Sequence, residues 1–466
     1  MPISQTIFRC CALLTLANAA FSFTVPKTYV LRTTMNVWDV DARDLNADGN
    51  LDIAVLSCDE KSFPLTKQVS VYLADSTGGY TETPSISLPL DASVGVCFFA
   101  EVDGLAPPEL IAANSLGATV YHFDGKGFTK GQTLAFISLL PSGSKEPVFY
   151  ETATIDLDGD GRDEWLIPAP SAFVVRTAEK ALATIPCDFS SNLRDGTNLY
   201  INHKLPQFTA YSVGDDKSKS LTFLSDEFAD FAHGENWSTQ SRFKIPLNLE
   251  ENWDSQSQTA DIDGNGLPDL MVTQTKGTVN VTCLTQVYLA QSPYTYSDRP
   301  SATYSVSGSF ASPLLADVNG DEKMDLVFIK VPYGLKLFAN FLLRRKVSIV
   351  AEVHLFGKDG FAAEPDYTSD LTIDAPDGRQ RVAYTLGDFT GDGNVDAAFG
   401  MGQDKMAIYL GGNNAFLSTK PAHTLSFPSF GEARTFTLDA GSKAEDIVLF
   451  HPAGKEAKRI EVVVFK

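Results

Sequence analysis

The stretch DIDGNGLPDLMV, from Asp261 to Val272, places four oxygen-bearing side chains and two glycines within nine residues and then becomes apolar. Carboxylates this close together repel one another, so the pattern is typical of a site where a cation lies between them. Calcium is the first candidate, because it is bound by carboxylate, amide and carbonyl oxygens.

The same pattern occurs five times along the chain. The copies are DLNADGNLDIAV from Asp44, DLDGDGRDEWLI from Asp156, DIDGNGLPDLMV from Asp261, DVNGDEKMDLVF from Asp317 and DFTGDGNVDAAF from Asp388. Four copies carry Gly at position 6, where a sharp turn favours a positive φ, and the fourth copy carries Glu322 instead. Recurrence in a fixed register makes a structural repeat the natural interpretation.

These loops are not EF-hands. An EF-hand needs a bidentate acid at position 12, and position 12 is apolar in all five copies. Short apolar runs such as DLMVTQ and DLVFIK follow position 9 directly and predict buried strands. Each copy is therefore predicted to be a turn between two β-strands.

Oxygens from positions 1, 3, 5 and 9, with the backbone carbonyl of position 7, are expected to converge on one ion in each loop. The predicted side-chain ligands are Asp44, Asn46, Asp48 and Asp52; Asp156, Asp158, Asp160 and Glu164; Asp261, Asp263, Asn265 and Asp269; Asp317, Asn319, Asp321 and Asp325; Asp388, Thr390, Asp392 and Asp396. The position 7 residues are Asn50, Arg162, Leu267, Lys323 and Asn394. Thr390 is neutral and a weaker ligand, so the fifth site is the weakest of the set.

Weaker copies of the junction between acid and strand extend the repeat. PELIAAN at Glu109, KSLTFLS at Ser220 and EDIVLFHP at Asp446 place the same strand after loops that lack the full acidic pattern, and no metal is expected there. The eight junctions lie at positions 52, 109, 164, 220, 269, 325, 396 and 446, spaced 49 to 71 residues apart. A unit of this length, containing several alternating strands, is typical of a blade of a β-propeller.

The loops DLDGDGRDEWLI and DIDGNGLPDLMV, with later strands such as IYLGGNNAF, resemble the FG-GAP/VCBS repeats of secreted bacterial proteins and of the integrin α-subunit head. The resemblance covers nearly the whole of residues 20–466. It implies an all-β, calcium-loaded β-propeller in which the oxygen side chains named above bind about five structural Ca²⁺ ions. It does not imply a particular function.

Eight junctions predict eight blades, with seven as the alternative. The chain ends in RIEVVVFK, which corresponds to a third strand, while FTVPKTYVLR near the start is a spare strand before the first repeat. Pairing these two segments would complete the last blade and remove two open sheet edges.

The net charge of the chain limits the kinds of partner that it is expected to bind. A formal net charge of −21 and a pI near 4.6 argue against nucleic acid or an anionic membrane as the main partner. Bound phosphate in the loops is excluded because their carboxylates would repel it. Metal-free turns remain the alternative to calcium sites, because Asp, Asn and Gly favour turns in any case.

The N-terminus predicts export. Residues 1–19, MPISQTIFRCCALLTLANA, combine Arg9, an apolar run and an A-x-A cleavage pattern, which predicts a signal peptide and a secreted, periplasmic or cell-surface protein comprising residues 20–466. A buried N-terminal helix is the alternative. No other apolar run is long enough to span a bilayer. Cys58, Cys97, Cys187 and Cys283 remain after cleavage, either as two disulfides or as buried thiols.

No catalytic constellation is visible. HExxH, GxSxG and Walker-type motifs are absent, and the six histidines are dispersed. The basic cluster Arg344–Lys346 breaks the repeat and is interpreted as a solvated hairpin or as a contact for an acidic partner. These features favour a binding protein that recognises a protein or glycan partner. The alternatives are a polysaccharide-processing enzyme with a nonlocal site, similar to eight-bladed lyases, and a structural subunit of a surface complex.

Overall fold

The computed structural model describes most of the chain beyond its first 24 residues. The described ranges are 25–150, 153–187, 190–195, 198–203, 207–214, 218–225, 227–247, 253–277, 281–307, 313–330, 346–374, 382–412, 415–452 and 454–466. The predicted signal peptide at 1–19 and the basic residues Arg344 and Arg345 lie outside them.

The described residues form β-strands and one short 3-10 turn at Glu235–Trp237. The strands of the first half are β1 (Lys27–Arg32), β2 (Asn36–Arg43), β3 (Asp52–Asp59), β4 (Thr66–Tyr72), β5 (Ile86–Leu90), β6 (Val96–Ala100), β7 (Glu109–Asn114), β8 (Gly117–Phe123), β9 (Phe128–Ala135), β10 (Val148–Phe149), β11 (Thr154–Ile155), β12 (Glu164–Ala169), β13 (Ala172–Arg176), β14 (Ala181–Pro186), β15 (Ser190–Asp195), β16 (Asn198–His203), β17 (Gln207–Tyr211), β18 (Ser220–Leu224), β19 (Phe228–His233) and β20 (Thr239–Lys244).

The second half continues the same way. Its strands are β21 (Trp253–Ala260), β22 (Asp269–Lys276), β23 (Thr282–Tyr288), β24 (Ala302–Ser307), β25 (Leu314–Ala316), β26 (Asp325–Lys330), β27 (Lys346–His354), β28 (Phe356–Gly357), β29 (Gly360–Phe361), β30 (Tyr367–Asp374), β31 (Tyr384–Gly387), β32 (Asp396–Met401), β33 (Lys405–Tyr409), β34 (His423–Leu425), β35 (Glu432–Phe436), β36 (Asp446–Phe450) and β37 (Arg459–Val464).

The strands assemble into an eight-bladed β-propeller, as predicted. Each blade contains an antiparallel sheet of four strands: β2–β5, β6–β9, β11–β14, β17–β20, β21–β24, β25–β27 with β30, β31–β34, and β35–β37 with β1. Blade 2 gains a fifth strand, since β10 pairs with β6 in parallel. Two small hairpins, β15–β16 and β28–β29, are added to this frame. The prediction of eight blades over seven is confirmed.

The ends of the chain close the propeller. Strand β1 pairs antiparallel with β37 from Lys27↔Val464 to Arg32↔Arg459, so the first strand is the outermost strand of blade 8. Leu31 is fully buried in a cluster that joins blades 1 and 8, and the Tyr72 hydroxyl donates a hydrogen bond to the Arg32 carbonyl at 2.6 Å. The predicted pairing of the two terminal segments is confirmed.

The core lies between neighbouring blades. Alternate residues of one strand face opposite neighbours: Leu270 and Val272 of β22 pack with Phe231 of blade 4, whereas Met271 packs with Leu326 and Phe328 of blade 6. The period-2 alternation of the strands therefore gives each blade two apolar faces. The four cysteines are buried thiols within this core, which decides between the two alternatives left open by the sequence.

Candidate metal centre

The acidic loops occupy one recurring place in the propeller, between the first and second strands of a blade. Each of the eight junction residues is the first residue of the second strand of its blade: Asp52, Glu109, Glu164, Ser220, Asp269, Asp325, Asp396 and Asp446. Successive connections in an antiparallel meander alternate between its two ends, so these loops share one face of the propeller.

The aspartate at position 1 folds each loop around its own side chain. Asp261 accepts hydrogen bonds from the amides of Asn265 at 3.0 Å and of Gly266 at 2.8 Å. The same bond to the position 6 amide recurs at Asp44, Asp156, Asp317 and Asp388. Position 6 is left-handed in every copy, and Glu322 adopts φ +65° where the other loops carry Gly. Glu322 therefore keeps the turn despite its side chain.

Positions 3, 5 and 7 continue this local pattern. The Asp263 carboxylate accepts from the Asn265 amide at 3.2 Å, and the Asn265 side-chain oxygen accepts from the Leu267 amide at 2.7 Å. The bond from the position 7 amide to the position 5 side chain is repeated in all five loops, by Asn50, Arg162, Leu267, Lys323 and Asn394. The function of the position 7 carbonyls as ligands stays a prediction.

The position 9 acid is buried, and Asp52, Asp269, Asp325 and Asp396 are bonded to backbone amides on both sides. Asp269 accepts from the Ile262 amide at 2.8 Å and from the Ala290 amide at 2.6 Å, just after the third strand. Burial raises the pKa of Asp269 to about 7 in spite of these hydrogen bonds, which favour the ionised form. Burial likewise raises the pKa of Glu164 and Asp396 to about 7 and of Asp52 and Asp325 to about 6.

Two loops bring three carboxylates together. The Asp156, Asp158 and Glu164 groups, and the Asp261, Asp263 and Asp269 groups, each offer oxygens that all lie within 4.8 Å of one another. The described part of the chain contains no other group of three or more acids, cysteines or histidines at that spacing. An all-oxygen donor set with one buried acid fits a hard cation such as Ca²⁺.

The other three predicted sites carry three acids each at positions 1, 5 and 9, whereas the Asp261 loop carries its three at positions 1, 3 and 9. Position 3 is Asn46, Asn319 or Thr390, so a neutral oxygen stands where Asp158 and Asp263 stand in the two acidic groups. Their position 5 acids, Asp48, Asp321 and Asp392, accept the position 7 amides. These fully described loops keep the shape of the acidic pair but do not bring three carboxylates within 4.8 Å of one another, which predicts weaker cation binding.

A structural function of the position 9 acid was missed in the sequence interpretation. Blades 2 and 8 lack the acidic loop, yet Glu109 accepts from the Val102 amide at 2.9 Å, and Asp446 accepts from the Leu438 and Phe465 amides at 2.9 and 2.8 Å. The bond from a carboxylate to an amide seven or eight residues earlier is therefore independent of the metal pattern. Glu109 and Asp446, which stand at junctions without an acidic loop, were the sequence signal for this structural function.

Backbone hydrogen bonds join the loops of neighbouring blades. The amide just before the second strand donates to a carbonyl in the loop of the preceding blade; the donor–acceptor pairs are Leu51–Leu438, Asp163–Glu101, Lys219–Leu157, Met324–Ile262 and Glu445–Asp388, at 2.7 to 3.0 Å. Blades 2 and 5 carry Pro108 and Pro268 at this position, which have no amide to donate. These five bonds link the loops on this face into three groups, those of blades 7, 8 and 1, of blades 2, 3 and 4, and of blades 5 and 6.

The geometry defines a class of protein, a β-propeller with acidic loops between the first and second strands of its blades. Residues 261–328 match the family model of an FG-GAP-like repeat. These residues begin at the first ligand of the blade 5 loop and end in the second strand of blade 6. This match over two neighbouring blades, together with the eight-bladed architecture, supports the resemblance to FG-GAP repeats seen in the sequence.

Solved structures with similar architecture are distant. A lectin of Agrocybe aegerita, described as recognising non-reducing terminal N-acetylglucosamine, is 12% identical with a TM-score of 0.40 over 87% of this chain and 91% of that chain. The V. cholerae biofilm matrix protein Bap1 is 11% identical with a TM-score of 0.34 over 95% and 88%. The WD40 domain of SCAP from fission yeast is 10% identical with a TM-score of 0.32 over 83% and 96%. No curated protein matches the chain, and no helix among the described residues has the length and apolarity to cross a membrane.

Proposed function

We propose that this protein is a secreted recognition scaffold that is stabilised by calcium and binds a protein or glycan partner. The observation that carries the proposal is the set of five acidic loops on one face, with three clustered carboxylates in each of two loops. Calcium would be held by the oxygens at positions 1, 3, 5 and 9, and it would supply positive charge that offsets their repulsion.

The ions serve the fold in this proposal. Each acidic loop is already shaped by backbone bonds to its own carboxylates, so the ion is added to a preformed turn. Backbone bonds join five pairs of neighbouring loops, and stabilising one loop therefore also stabilises the neighbours to which it is bonded. A cation that binds only the folded chain, at a free concentration 100 times its dissociation constant, adds about 2.7 kcal/mol per site to the free energy of unfolding.

Calcium titration of residues 20–466 by calorimetry tests the metal part. We expect about five sites, the tightest in the loops of blades 3 and 5. Asp158→Asn and Asp263→Asn should each weaken one tight site, whereas Asp103→Asn, an exposed acid of the blade 2 loop, is the matched control and should change neither affinity nor stoichiometry. A folded protein that takes up no calcium would refute the proposal.

Recognition is tested separately. The calcium-loaded protein is screened on a glycan array and crosslinked in its native extract, and acidic polysaccharides are assayed for new reducing or unsaturated ends. A bound glycan or a crosslinked partner at a fixed ratio supports a scaffold. Products of chain cleavage would instead favour the polysaccharide-processing enzyme.

A further inference from the structure

A cleft of about 460 Å³ opens between blades 5 and 6 beside one of the acidic groups. One wall is formed by Asp263 and Lys323, from the loops of the two blades. The other is the β28–β29 hairpin with Phe356, Lys358, Asp359 and Phe361. Its volume lies in the range of sites for small ligands.

The cleft combines apolar rings with paired charges. The Phe356 and Phe361 rings meet edge to face with centroids 4.9 Å apart, and Lys323 Nζ lies 5.3 Å from the Phe356 centroid. The hairpin turn exposes Lys358 and Asp359 to solvent. Two carboxylates and two ammonium groups thus line the cleft together with these rings, and the charges of the four groups cancel.

Asp263 belongs to both the cleft and the acidic group. Its carboxylate lies within 4.8 Å of those of Asp261 and Asp269, and it also lines the cleft. The blade 6 loop lies directly against the Asp261 loop, because the Met324 amide donates a hydrogen bond to the Ile262 carbonyl at 3.0 Å. A cation held by the Asp261 loop would therefore fix one wall of the cleft.

We propose that this cleft binds one neutral pyranose of a glycan, an inference that rests on the proposed function. Sugar hydroxyls both donate and accept, so one ligand can donate to Asp263 and Asp359 and accept from Lys323 and Lys358. The apolar face of the sugar ring packs against the half-buried Phe361 ring in the hairpin wall. Because the charged side chains that line the cleft balance one another, a neutral sugar fits it better than a charged one.

Saturation-transfer NMR of residues 20–466 in calcium tests the inference. The probes are the methyl glycosides of glucose, galactose and mannose and free N-acetylglucosamine, with glucuronic acid and a mixed peptide pool as competitors. The variant Lys358→Ala/Asp359→Ala changes two exposed residues and should weaken sugar binding by about tenfold or more, since it removes charged hydrogen-bonding partners. Gln240→Ala, in a separate cleft between blades 3 and 4, is the matched control and should bind as the wild type does.

The outcomes separate this inference from the proposed function. Calcium uptake without a signal from any neutral sugar, or sugar binding that the double variant leaves unchanged, overturns the cleft and leaves the metal sites standing. Preferred binding of glucuronic acid or of peptide also overturns it. Sugar binding that the double variant abolishes supports the cleft even if calorimetry finds no calcium, in which case the proposed function fails alone.

Discussion

The acid that begins the second strand of a blade combines two tasks in this propeller. In blades 3 and 5 it belongs to a group of three carboxylates, and in blade 8 Asp446 binds backbone amides with no such group around it. Comparing the two kinds of blade separates the energetics of the backbone bonds from those of the cation.

We expect Asp446→Ala to destabilise the fold equally with and without calcium. The substitution leaves the buried Leu438 and Phe465 amides without their acceptor, which costs about 2–4 kcal/mol for the pair. Asp269→Ala should lose a similar amount in chelator and more in calcium, because it also removes a ligand. Urea unfolding of both variants in calcium and in chelator measures the free energy that calcium adds to each. If calcium stabilises the two variants by the same amount, Asp269 is not a ligand.

A second residue-scale prediction concerns the inner strands. Asp39 of β2 is paired with Arg434 of β35 at 2.6 Å and accepts from the Phe149 amide at 2.8 Å. Burial raises the pKa of Asp39 to about 6, although Arg434 favours its ionised form. Between pH 4 and 6 the Asp39 carboxyl therefore binds its proton more tightly in the folded chain than in the unfolded chain. The contribution of Asp39 to the free energy of unfolding consequently falls as pH rises through this range.

Arg434→Gln should consequently cost more stability at pH 7.5 than at pH 4.5. At the higher pH it leaves a buried carboxylate without its cation, a loss of about 2–4 kcal/mol, whereas at the lower pH Asp39 is protonated and needs no partner. Arg32→Gln, which breaks an exposed pair with Glu82, is the control and should change stability by less than about 1 kcal/mol at either pH. Equal losses for Arg434→Gln at both pH values would contradict the argument.

At the scale of elements, β1 decides whether the ring closes. Without residues 25–32, β37 becomes an exposed edge and the cluster around Leu31 loses part of its packing. A chain beginning at residue 33 should therefore lose cooperative unfolding and aggregate, while a chain beginning at residue 25 should unfold as residues 20–466 do. Thermal melts with light scattering distinguish these results, and a monomeric, cooperative truncation at 33 would show that closure contributes little.

At the scale of the whole molecule, the metal pattern is uneven around the ring. Acidic loops lie in blades 1, 3, 5, 6 and 7, and the corresponding loops of blades 2, 4 and 8 lack the pattern. Chelation should raise amide hydrogen exchange most in the second strands β3, β12, β22, β26 and β32, and least in β7, β18 and β36. Exchange measured by mass spectrometry before and after chelation checks this, and uniform deprotection of all blades would instead indicate a ring that opens as one unit.

The sequence by itself determined the blade count, the closure and the place of the loops. Eight junctions of acid and apolar strand recur in register, and each junction proved to begin a second strand, because a repeat places equivalent residues at equivalent points of the fold. Spare strands at the two ends predicted the pairing of β1 with β37 for the same reason.

Only the tertiary structure decided what lies between blades. The thiol state of the cysteines, the pairing of Asp39 with Arg434 and the cleft that joins Asp263 to the β28–β29 hairpin all involve residues distant in sequence. The backbone partners of Glu109 and Asp446 were equally hidden, because an acid that begins a strand indicates a structural function but not which amides it will bind. Local pattern fixes turns and strands, whereas contacts across blades depend on how the ring brings them together.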